Sequence, residues 1–121
     1  MSKHVLCLGN KSPALRTALK SVALKSEGDC FLIIALTAKY AIGFVISDTN
    51  PSIYVAENFG TAKYPAVTIT EKLVTLPKGL LRKLQGMVRK NLSAYVFQLE
   101  KYKDKTSPLV LQNIQMFLET I

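Results

Sequence analysis

Two nearly unbroken apolar blocks, CFLIIALT and YAIGFVIS, meet at Ala38-Lys39. From Cys30 to Ser47 the chain carries a single charge, that of Lys39. A membrane-spanning helix needs about 20 apolar residues, and a charge at its centre is costly. Gly43 is a poor helix-interior residue, and both blocks are rich in β-branched and aromatic side chains. The pattern therefore predicts two strands, near 30–37 and 40–47, joined by a tight hairpin with Lys39 at its exposed tip. A buried helix is the alternative. Strands apolar at nearly every position need cover on both faces, so this hairpin belongs at the centre of a sheet.

The remaining elements follow from the same reading. HVLCL, near 4–8, is a strand, and Gly9-Asn10-Lys11 turns the chain. Ser12 is placed as an N-cap and Pro13 as the first helical residue, where its missing N–H is harmless. In the helix that follows, Leu15, Ala18, Leu19 and Val22 keep the spacing of a buried face, and Gly28 is placed to stop it. Short strands are predicted near 53–57 and 66–71, with Leu73 to Leu76 extending the second or bridging onward. Pro77 marks a change to helical period. From Leu80 to Tyr102 an apolar stripe predicts one long helix, weakened at Gly86 and Asn91. Ser93 to Glu100 also alternates, which leaves an edge strand open there. Ser107-Pro108 opens a last helix with Val110, Ile114, Phe117 and Ile121 on one face. That face must pack into the body or against a second copy of the chain, as in a homodimer. The expected fold is a single α+β domain, with a mostly antiparallel sheet of about five strands, an N-terminal helix and two C-terminal helices.

Composition adds three things. At 121 residues and 49% hydrophobic content, the chain fits one domain that buries roughly two-thirds of its unfolded surface. The formal net charge is +8, which favours an anionic partner: nucleic acid, an acidic protein surface or an anionic membrane. Cys7 and Cys30 both lie in apolar runs and lack the spacing of a zinc or redox site. MSKHVLCLGN has no signal-peptide pattern, so both read as reduced core thiols in a cytoplasmic protein.

The charge is concentrated. Half of the Lys and Arg residues lie between Lys78 and Lys105, opposed there by Glu100 and Asp104. On the helix, Lys78, Arg82, Lys83, Arg89 and Lys90 form a basic ridge with no acidic partners at helical spacing. Such a ridge can follow phosphates; a plain solvated face is the alternative. Asn10, Lys11 and Ser12, between a strand and a helix N-terminus, are a candidate anion site, although they match no phosphate-loop pattern. Tyr54, Tyr64, Tyr95 and Tyr102 could stack on bases if exposed, but Tyr95 and Tyr102 fall on the apolar stripe. Ala-Lys-Tyr occurs twice, ending at Tyr40 and Tyr64; tips pointing the same way would form an aromatic-basic rim. His4 is the only histidine and has no carboxylate nearby in sequence, so neither a histidine-based triad nor a metal site is expected. Asp48, Glu57 and Glu71, near strand ends, would have to converge to hold magnesium.

YAIGFVISDTNPSIYVAENFG, Tyr40 to Gly60, resembles the hairpin region of retroelement ribonuclease H domains. That family's aspartate just ahead of the hairpin is replaced by Leu36-Thr37-Ala38-Lys39, so its metal site is not carried over. The expected function is a small basic non-enzymatic module that binds RNA or DNA through a basic helix, without a cofactor and without a membrane. Two alternatives remain. One is a regulatory or assembly subunit using the apolar face of the last helix. The other is an enzyme acting on a phosphorylated substrate, at Asn10 to Ser12 or at the acidic trio.

Overall fold

The two apolar blocks form the hairpin they predict, β2 (Cys30–Ala35) and β3 (Tyr40–Val45), paired antiparallel with Ile34 opposite Ile42 and Phe31 opposite Val45. The computed structural model describes residues 4–9, 13–48, 51–102 and 107–120, without the side chains of Tyr102 and Ser107. The candidate anion residues Asn10, Lys11 and Ser12, and Ile121 of the last helix, lie outside the described residues.

The hairpin sits inside a five-stranded sheet whose spatial order follows the chain. On one side β1 (His4–Gly9) runs parallel to β2, the two joined through α1 (Pro13–Lys25). On the other side β4 (Ser52–Asn58) and β5 (Val67–Thr70) continue antiparallel. The fold is thus α+β, with one parallel pair in a mostly antiparallel sheet.

The apolar blocks look continuous because the sheet is buried on both sides. Phe31, Ile33 and Ala41 face α1, where they meet Leu15, Leu19 and Ala23. Leu32, Ile34, Ile42 and Phe44 face the C-terminal helices. The period of two characteristic of a strand is present, but both of its phases are apolar. Gly43 belongs to this packing. A Cβ there would come within 2.8 Å of the Phe31 ring and 3.0 Å of Leu19, so the missing side chain is the space that the Phe31 ring occupies. Gly28, at φ 105°, holds the left-handed turn after α1 that leads the chain into β2. Cys7 and Cys30 are not joined in a disulfide and pack with the two opposite faces of the sheet.

The second face carries three helices: α2 (Lys78–Lys90), α3 (Leu92–Tyr102) and α4 (Ser107–Leu118), preceded by a 3-10 turn at Leu73–Thr75. The single long helix expected from Leu80 to Tyr102 is broken at Asn91. Its side-chain amide donates to the Met87 carbonyl at 2.8 Å, and its backbone N–H is shared between Met87 and Val88 carbonyls. Asn91 so closes α2, and its own carbonyl accepts the Tyr95 N–H at 3.1 Å to begin α3. Ser93 to Glu100 is helical throughout, because Tyr95 and Leu99, four residues apart, both reach the core. In α4, Val110, Ile114 and Phe117 are fully buried, and the Phe117 ring meets Phe44 edge-on at 5.9 Å. That apolar face packs into the body of this chain.

One buried polar residue fixes α4. Asn113, fully buried, donates to the Ser47 carbonyl at 2.9 Å and the Leu109 carbonyl at 2.7 Å, and accepts the Ser47 N–H at 3.2 Å. It clamps the helix to the segment that leaves β3.

Candidate functional site

α2 is a helix with one apolar face and no acidic residue. Leu81, Leu84, Gln85 and Val88 are buried, while Lys78, Arg82, Lys83, Arg89 and Lys90 are all exposed. A helix turns roughly 100° per residue, which separates the five cations into two rows. Lys78, Arg82 and Arg89 lie on the flank beside the end of α4. Lys83 and Lys90 lie on the far side of a crest formed by Gly79 and Gly86. Apart from the chain neighbours and the helix's own backbone, nothing lies within 4 Å of where a Cβ would stand on either glycine, so the crest between the rows is open.

The first row lines a cleft of about 540 Å³ together with Leu81, Gln85, Leu118, Glu119 and Thr120. Two of its residues complete α4. Gln85 is buried and its amide donates to the carbonyls of Phe117 at 2.9 Å and Thr120 at 2.6 Å. Arg89 donates from Nη2 to the Leu118 carbonyl at 2.8 Å. Both satisfy carbonyls at the end of a helix, where donors and positive charge are favourable. Arg89 thus has a structural task beside its charge. The signal for Gln85 was present in the sequence, as a polar residue in the buried stripe between Leu81 and Val88.

The second row leads toward the hairpin tip. Lys83 Nζ lies 5.8 Å from the centre of the Tyr40 ring, and Lys39 Nζ lies 5.6 Å from it. Lys39 also pairs with Glu57 at 3.7 Å. Among the described residues, none of the five α2 cations is paired with a carboxylate. At the N-terminal end Pro77 supplies no side-chain cap, and Lys78 adds a cation where the helix dipole is already positive. The result is an exposed set of cations, with Glu119 lining the cleft of the first row and Glu57 beside Lys39 at the end of the second.

The other candidate residues are dispersed. Asp48 follows β3 at one end of the sheet, and Glu57 sits opposite Tyr40 at the other. Glu71 follows β5 and lies near Ser52 and Ile53, at the Asp48 end. No group of three metal-ligating side chains occurs among the described residues. His4 is exposed at the start of β1. Tyr95 is core, and its burial raises the hydroxyl pKa above the ordinary value. The Tyr54 hydroxyl is raised as well, first by burial and then by Glu71, against a hydrogen bond with Ser52 that lowers it. Tyr64 is exposed. No helix among the described residues is long and apolar enough to cross a membrane.

No family model, curated protein or solved structure matches the chain.

Proposed function

We propose that this chain is a non-enzymatic module that binds nucleic acid through the cations of α2. The observation that carries the reading is the exposure of Lys78, Arg82, Lys83, Arg89 and Lys90 on a helix with no carboxylate of its own. An ordinary solvated helix mixes signs, because acidic and basic residues one turn apart stabilise it. A helix that forgoes those pairs keeps its cations available for an external anion. Phosphates spaced along a backbone suit two rows of cations flanking an open crest. The reading needs no metal and no cofactor.

Binding by phosphate neutralisation releases counterions. The logarithm of the affinity should fall linearly with the logarithm of salt, with slope of about −0.9 per phosphate on duplex and about −0.7 on single strands. Four or five contacts then give slopes of about −3 to −4.5. Fluorescence anisotropy with mixed oligonucleotides, between about 50 and 200 mM salt, measures this. An acidic polypeptide of matched charge is the comparison. Absence of oligonucleotide binding at low salt, or equal affinity for the polypeptide, overturns the proposal.

A further inference from the structure

The β4–β5 loop is held firmly and yet displays two large rings to solvent. Asn58 is buried, and its Oδ1 accepts N–H groups from Gly60 at 2.9 Å and Ala66 at 3.0 Å, fastening both ends of the loop. Phe59 N–H donates to the Ala66 carbonyl at 2.9 Å. At the tip, Thr61 N–H donates to the Tyr64 carbonyl, and Tyr64 N–H returns a bond to Thr61 Oγ1. Phe59 is nevertheless 64% exposed and Tyr64 72%. These rings contribute little to the core, and the loop's order comes from its hydrogen bonds.

The tip of this loop repeats the tip of the β2–β3 hairpin. Thr37-Ala38-Lys39-Tyr40 and Thr61-Ala62-Lys63-Tyr64 are the same tetrapeptide. They make the same turn: Thr N–H donates to the Tyr carbonyl, and Tyr N–H donates to the Thr hydroxyl, in both. In both, the lysine Nζ lies 5.6 Å from the following tyrosine ring centre. The two turns occupy the same end of the sheet. Asn58 N–H donates to the Lys39 carbonyl at 2.8 Å. Ala38, Lys39, Asn58, Gly60 and Ala62 border one pocket of about 390 Å³. Through Tyr40 this end also meets Lys83 of α2.

We infer that the strand bound is single-stranded, its unpaired bases stacking on Phe59 and Tyr64 while its phosphates run along Lys63, Lys39 and Lys83 toward α2. The inference rests on the nucleic-acid reading above and narrows it. Bases within a duplex already stack on one another and offer no free face. Unpaired bases do, and exposed aromatic rings among cations accept them without regard to sequence. A loop ordered before binding loses little freedom when a base docks on it.

The test compares labelled oligo(dT), oligo(U) and a duplex of equal length, by anisotropy at one low salt concentration. The single strands should bind at least about tenfold tighter than the duplex. Phe59→Ala and Tyr64→Ala should each weaken single-strand binding about tenfold and leave the salt slope unchanged. Tyr64→Phe should restore it. Lys83→Ala should instead make the slope shallower by about 0.7. The tighter of the two single strands identifies RNA or DNA as the source. A duplex bound as tightly as the single strands, or ring variants without effect, overturns this inference and leaves the nucleic-acid reading standing. No binding of any oligonucleotide overturns both.

Discussion

Asn113→Asp changes a single atom at the point where α4 is fastened, and its effect can be worked out from the three hydrogen bonds there. The native amide donates to two carbonyls, of Ser47 and Leu109, and accepts one N–H. A neutral acid keeps one donor, so it loses one bond, about 1 kcal/mol. An ionised carboxylate has no donor, faces two carbonyl oxygens and leaves a charge in a site without solvent. The loss is then about 4 kcal/mol or more, against a total of about 5–15 kcal/mol for a domain. The folded state therefore favours the neutral acid and raises the introduced carboxyl's pKa above its unfolded value of about 3.9. A difference of about 3 kcal/mol between the two forms corresponds to about two pKa units. The stability retained below about pH 4 is lost as the pH rises through the folded-state pKa, near about pH 6. Urea unfolding followed by circular dichroism, at about pH 4 and about pH 8, gives the comparison once the parent's own pH dependence is subtracted. Asn113→Ala serves as control, with a pH-independent loss of about 3 kcal/mol. An Asp variant as stable as the parent at the higher pH, or equally destabilised at both, would refute the clamp.

Two further outcomes follow from α2. Gly86→Ala should stabilise the protein by about 1 kcal/mol, since its Cβ would enter open space; an unchanged or lowered urea midpoint contradicts this. Arg89→Ala should lower stability by about 1 kcal/mol through loss of its bond to the Leu118 carbonyl, whereas Lys90→Ala should stay within about 0.5 kcal/mol of the parent. Equal thermal midpoints for the two variants would mean that Arg89 does not cap α4.

The sheet was legible because its residues satisfy local rules. Strand-forming blocks, the Ala38-Lys39 tip, Gly28 after α1 and Pro77 before α2 all mark boundaries that need no knowledge of the partner element. The break at Asn91 was harder. Its cause is one side-chain bond to Met87, and a helical stripe carries across such a break because Tyr95 and Leu99 stay in phase with Leu84 and Val88. The basic residues were legible as an exposed set on α2. Their division into two rows was implicit in the helical period, but the assignment of Arg89 to the end of α4 depends on a helix that arrives about thirty residues later. The repeated tip was visible as Ala-Lys-Tyr. Its meaning needed Thr37 and Thr61, whose hydroxyls make the two turns alike.

The connections that close the molecule span long stretches of chain. Asn113 reaches Ser47 across 66 positions, and Gln98 accepts the Gly9 N–H across 89. The meander from β2 to β5 pairs neighbours only, so it can assemble early during synthesis. Until α4 has left the ribosome, however, Phe44, Ile42 and Leu32 have no complete cover. While that cover is missing, the nascent chain carries a sticky, half-finished sheet, and a chaperone that shields aliphatic surface would matter more to its yield than to its final stability.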